Sequence, residues 1–295
     1  MATRVFSLYR YQILPLDTRP SLLYNLQDLI DRKNQYFMEA LLSLKISGKN
    51  GNRRRYRYEL VCRINNFVMM ITSRQKNVKV IREDHTPADV DSFPFSYIIF
   101  DNEKEYQFVA VQESPELHAR TIVKKLEKSL QEKLKARYLT VKFSPVYKES
   151  DFWVFARENE GKIISLSFSL ITPNMSNISS MLSEDLKRTA KVTAAIETNL
   201  RLKSDSSSSL NLQPDNDELN GLVNYAAEGG GEIRAKVRDS TLSFQSNDYQ
   251  AVMEIGEMEF EGDLSSLVKL IRREIAQLNR HAKEKKDKTD AGDNR

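Results

Sequence analysis

The chain opens on an alternating stretch, Thr3–Leu14, with Val5 and Ser7 on one side and Phe6 and Leu8 on the other. That period predicts a strand, ended by Pro15 and Pro20. Leu22, Leu23, Leu26, Leu29 and Ile30 then recur at helical spacing, predicting a helix over Ser21–Leu44 with Ser21 as its N-cap. An Asn-Gly turn falls within Gly48–Asn52. Arg55–Thr72 reads as one long strand or as a hairpin bent at Asn65-Asn66. Simple alternation there puts Tyr56, Tyr58, Leu60 and Cys62 on one face, with Arg55, Arg57, Glu59, Val61 and Arg63 on the other.

Phe95–Phe100 and Tyr106–Val111 predict a second hairpin. Ser114, Pro115 and Glu116 look like a helix start, followed by the apolar stripe Ala119, Ile122/Val123, Leu126, Leu130 and Leu134. Val141–Val146 predicts a strand, and Asp151–Asn159 fits helix or strand. Lys162–Ile171 is the clearest strand, with Ile164, Leu166, Phe168 and Leu170 alternating with Ser165, Ser167 and Ser169. Asn177–Thr189 predicts a helix, while Lys191–Lys203 fits either period, its alternation favouring a strand. A polar loop at Ser204–Asp217 precedes a helix at Glu218–Ala227 closed by Gly229–Gly231. Short strands follow at Ile233–Val237, Leu242–Phe244 and Tyr249–Ile255, then a closing helix at Asp263–Ala282. This order predicts an α+β fold of mixed, largely antiparallel sheets with flanking helices. The expected division is a basic α+β domain over 1–112, a second α+β domain over 113–282 and a charged tail over 283–295.

Charge changes the picture more than composition does. Lys45–Arg82 holds eleven Lys or Arg against a single acid, Glu59, although the net charge of all 295 residues is only +4. Glu83–Val123 is acidic, Lys124–Lys148 basic and Ser204–Ser265 strongly acidic. Arg53–Tyr58 reads RRRYRY, setting guanidinium groups beside aromatic rings. Arginine grips phosphate bidentately, and tyrosine stacks on bases or bonds phosphate. The candidate nucleic-acid contacts are therefore Arg53, Arg54, Arg55 and Arg57, widened by Lys49, Lys124, Lys125 and Lys128.

Other chemistry finds little support in the residues. Cys62 is the one cysteine and sits in an apolar strand pattern, so it reads as a buried thiol. His85, His118 and His281 are widely separated, and there is no Walker or dinucleotide glycine motif. A metal-dependent nuclease needs carboxylates for a divalent cation and a lysine near the attacking water, for which Asp151 and Glu160 with Lys162, or the acidic cluster Asp101, Glu103 and Glu105, would be the candidates. Neither set forms a distinctive motif, so no catalytic residue, metal or cofactor is assigned. A protein-interaction subunit that docks an acidic partner on Arg53–Arg57 is the remaining alternative. No apolar run approaches membrane-spanning length, and the expected compartment is the cytoplasm.

The order of elements carries one resemblance. The opening FSLYR strand, a basic strand region, the segment DSFPFSYIIFDNEKEYQFVAVQESP, a capped helix and IISLSFSLITPN together resemble the RexA-like phage-exclusion proteins and related bacterial phage-defence proteins. The likeness spans roughly Asp91–Asp239. It implies a cytosolic, homo-oligomeric, DNA-binding component that acts with a membrane-protein partner; the expected forms are a homodimer and double-stranded DNA. It supplies no residue-level motif.

Overall fold

The computed structural model of the chain describes residues 3–17, 25–44, 46–47, 56–171, 181–193, 195–205, 207–263, 266–274 and 277. The fold is α+β, and the strand pairs whose registers are described run antiparallel. It divides into two units, Tyr11–Phe143 and Met1–Arg10 with Ser144–Arg295. This division departs from the boundary at 112/113 expected from the sequence. The helix and strand that follow 113 belong with the first sheet, and the strand nearest the C-terminus pairs with the first residues of the chain.

The opening strand, β1 (Thr3–Pro15), contributes to both units and is buried through most of its length on both faces. The Tyr11–Phe143 unit holds α1 (Leu26–Leu42), β2 (Ile46–Ser47), β3 (Tyr56–Ile64), β4 (Phe67–Arg74), β5 (Lys76–Ile81), β6 (Pro87–Ser92), β7 (Phe95–Asp101), β8 (Phe108–Gln112), α2 (Ala119–Leu134) and β9 (Leu139–Pro145). Its sheet runs β8-β7-β4-β3-β2, with β1 beside β8 and β9. The stripe Ala119, Ile122, Val123, Leu126, Leu130 and Leu134 of α2 is buried, as its spacing predicts. Each such leucine contributes about 1.5–3 kcal/mol by leaving water.

α1 is held by packing and by polar bonds. Tyr11 stacks on Phe37 at 4.4 Å, and Phe37 meets Phe100 edge-on at 6.1 Å. The Tyr11 hydroxyl donates to Asn102 Oδ1 (2.9 Å), Asn102 Nδ2 donates to the Asn34 carbonyl (2.9 Å), and Asn34 Nδ2 donates to the Asn102 carbonyl (2.9 Å). These bonds satisfy polar groups that burial would otherwise penalise. β5 and β6 form a separate two-stranded ribbon, exposed along nearly its whole length.

In the other unit, Thr3–Ser7 of β1 pairs with β14 (Val252–Gly256). A second sheet has the order β11-β10-β12-β13, formed by β10 (Ile163–Ile171), β11 (Glu197–Lys203), β12 (Gly231–Val237) and β13 (Ser243–Gln245). Its inner face carries Leu166, Phe168, Ile233, Ala235 and Phe244, packed with Phe152 and Phe155 of α3 (Glu149–Glu158) and Val223 of α5 (Asp217–Tyr225). Between these, α4 covers Glu184–Val192. Residues 266–274 are helical, with Leu267 and Ile271 buried.

Arg10 is fully buried in this unit. Its Nε donates to the Glu228 carbonyl (2.5 Å), and its Nη2 lies 3.2 Å from Glu228 Oε2. Burial pushes the guanidinium pKa down, and Glu228 opposes that shift. The backbone reaches this position through Gly229, at φ +82°, where an added Cβ would stand 2.4 Å from Arg10 Cβ.

Several local expectations are corrected. Asn25, and not Ser21, caps α1, its side chain accepting from the N–H groups of Gln27 and Asp28; Ser21 lies outside the described residues. Ser114 Oγ accepts from Leu117 N–H (3.0 Å), so it closes a turn ahead of α2, which begins at Ala119 where Glu113 accepts the amide proton. Asp151–Asn159 resolves as helix, and Lys191–Lys203 splits between the end of α4 and β11. Arg55–Thr72 resolves as the hairpin, Asn65 taking the left-handed turn position at φ 52°. β3 slips register between Leu60 and Cys62, so the strict alternation expected across it fails at that point. Tyr56 and Tyr58 are buried as expected, whereas Leu60 is exposed. The turn at 48–52 lies outside the described residues.

Candidate nucleic-acid interface

Of the contacts expected from sequence, Lys49, Arg53, Arg54 and Arg55 lie outside the described residues. Arg57, Lys124, Lys125 and Lys128 are all exposed. They are not brought together. Tyr58 is buried beside Ser129 of α2, where burial raises its phenol pKa. Strand alternation therefore turns Arg57 to the face of the sheet away from α2, which carries the three lysines. Arg57 is in register with Ser73 and, through it, with Phe95. Its guanidinium lies 5.5 Å from the ring centre of Phe93.

Two of the acidic groups weighed for a nuclease, Asp101 and Glu103, have structural work. Asp101 Oδ1 accepts the Glu103 N–H (3.2 Å), and Glu103 accepts from Asn66 Nδ2 (3.1 Å), which ties two turns together. Asp151 lies in the first turn of α3, where partial burial raises its pKa. Among the described residues, no group of three or more His, Cys, Asp or Glu is disposed to hold a metal ion. Glu257 and Glu261 face Arg4 at 3.3 and 3.7 Å, with Phe260 stacked under the same guanidinium. Part of the acidic segment is thus matched inside its own unit.

The most organised cationic surface is one that the segment charges conceal: the outer face of the second sheet. Ser165, Ser167 and Ser169 run down its centre on β10. Lys203, Arg201 and Asn199 of β11 stand in register on one side, with Lys236, Arg234 and Glu232 of β12 on the other. The four cations are exposed and flank the buried Ser165 and the half-buried Ser167, roughly 7 Å apart along a strand and roughly 10 Å across β10. Arg201 Nε donates to Ser165 Oγ (3.4 Å). At the opposite end the Ser169 hydroxyl lies 2.6 Å from Glu197 and 2.7 Å from Asn199, and Arg234 pairs with Glu232 at 3.2 Å. The face is therefore polarised, cationic at Lys203 and Lys236 and acidic at Glu197 and Glu232.

The same alternation that buries Leu166 and Phe168 creates this surface, because every second residue must face outward. The serine half of the pattern is visible in the sequence. The cations come from two strands 31 to 35 residues apart in the numbering, and they share a face only once β11 and β12 flank β10. Comparison with protein families, with curated proteins and with solved structures yields no match to this chain.

Proposed function

We propose that this protein is a non-enzymatic, sequence-tolerant binder of double-stranded DNA that serves a bacterial phage-exclusion system. The observation that carries the binding reading is the frame of Arg201, Lys203, Arg234 and Lys236 around Ser165 and Ser167. Arginine and lysine neutralise backbone phosphates, the half-buried Ser167 hydroxyl bonds a phosphate oxygen, and such contacts fix position without reading sequence. The acidic end at Glu197 and Glu232 repels phosphate and so confines the polymer to the cationic end. Arg57, with Lys49, Arg53, Arg54 and Arg55 close to it in the chain, adds a second group of cations. Lys124, Lys125 and Lys128 add a third, on α2.

The defence role rests on the resemblance to RexA-like proteins, as do the homodimer, the cytoplasmic setting and a membrane-protein partner. Among the described residues, no helix is long and apolar enough to cross a membrane. Electrophoretic mobility shift with two unrelated duplexes tests the binding. Wild type should retard both equally, and Arg201→Ala/Lys203→Ala/Arg234→Ala/Lys236→Ala should lose most of that affinity. Equal affinity in wild type and the fourfold variant would remove the assignment of this face.

A further inference from the structure

Resting on the nucleic-acid reading, we infer that Phe93, Phe95 and Arg57 form a stacking platform for unpaired nucleobases. Phe95, at the start of β7, is 50% exposed and Phe93, two residues before it, is 44% exposed, while Ile98, Ile99 and Phe100 further along β7 are buried. Apolar rings this large normally leave water, so two of them exposed at one end of an interior strand call for a ligand with an apolar face. Phe95, Ser73 and Arg57 share one row across β7, β4 and β3, and the Arg57 guanidinium lies over Phe93 at 5.5 Å. Phe95 also meets Tyr97 edge-to-face at 5.7 Å, which braces its ring perpendicular to its half-buried neighbour.

Rings with a guanidinium plane beside them stack on bases regardless of sequence, since every base offers a π-face. On the face that Arg57 shares with Phe95 the guanidinium is the cation beside the rings; Arg63 and Arg74 alternate to the other face, and Lys79 of β5 is matched by Asp89 of β6. In a duplex the base faces are already stacked on one another. The platform therefore engages only unpaired segments: single strands, or bases extruded from a duplex. Single-stranded DNA and RNA share this chemistry.

The test is fluorescence anisotropy of the full chain with labelled oligodeoxythymidine, oligouridine and a DNA duplex of equal length. Wild type should bind the single strands. Phe93→Ala/Phe95→Ala should weaken them by about tenfold or more while leaving duplex affinity unchanged, and Phe93→Trp/Phe95→Trp should restore binding. Single-strand affinity that is unaltered by the alanine pair, or lost equally for the duplex, would overturn the platform. Wild-type binding to the duplex alone would overturn it too while leaving the reading above intact. Binding to none of the three would overturn both. The oligodeoxythymidine and oligouridine arms show whether the sugar matters.

Discussion

The Arg10–Glu228 pair offers a sharp energetic test, because a full charge is kept in a site with no exposure at all. Arg10→Met removes the guanidinium with little loss of volume and leaves Glu228, itself 8% exposed, without the partner that sits 3.2 Å away. Stranding one member of a buried pair costs about 3–5 kcal/mol. Glu228→Gln is milder. The Arg10 Nε bond to the residue 228 carbonyl survives that change, and only the ionic half is lost. A charge-assisted bond of this kind contributes about 1.5–3 kcal/mol. The double variant Arg10→Met/Glu228→Gln no longer strands a charge, so it should cost at least ~1 kcal/mol less than the sum of the singles. Urea denaturation at pH 7, with the m-value checked for constancy, measures all four corners. Additivity within ~0.5 kcal/mol would refute the coupling.

Two further outcomes follow from the same geometry and from α1. Gly229→Ala places a Cβ against Arg10 at a left-handed φ of +82°, so it should cost about 2–4 kcal/mol in the same denaturation assay. Lys33 is buried in α1, and burial, aided by Lys104, holds its pKa down to about 8 from an ordinary 10.5. Its folded value lies below its unfolded one, so the unfolded chain binds more protons between these pH values. The penalty is therefore fully present below pH 8 and relieved as pH rises toward 10.5. The stability of Lys33→Met relative to wild type should fall by roughly 3 kcal/mol across that window, read by denaturation at a series of pH values.

The long periodic elements were legible in the sequence. The α2 stripe and the serine-alternating strand β10 bury mainly one face, which is what imposes a period, whereas the Phe95–Val111 hairpin is buried on both faces and is legible as two apolar runs around a polar turn. Boundaries were less legible. Side chains such as Glu113 and Asn25 decide where α2 and α1 begin, and they act on backbone amides that composition does not reveal. Arg10 could not be foreseen as a core residue. In sequence it interrupts an apolar run, and only the Glu228 turn, more than two hundred residues away, makes its burial tolerable. The cationic sheet face was hidden for a related reason. Arg234 and Lys236 lie in a strongly acidic segment, but strand pairing, not chain order, decides which charges meet.

The most direct measurement is the salt dependence of duplex binding by wild type and by Arg201→Ala/Lys203→Ala/Arg234→Ala/Lys236→Ala. Each phosphate contact steepens the slope of log affinity against log salt by about 0.9. The fourfold variant should bind more weakly, with a slope shallower by about 2–4. An unchanged slope would contradict phosphate binding on this face, because those four side chains would then be meeting no phosphate.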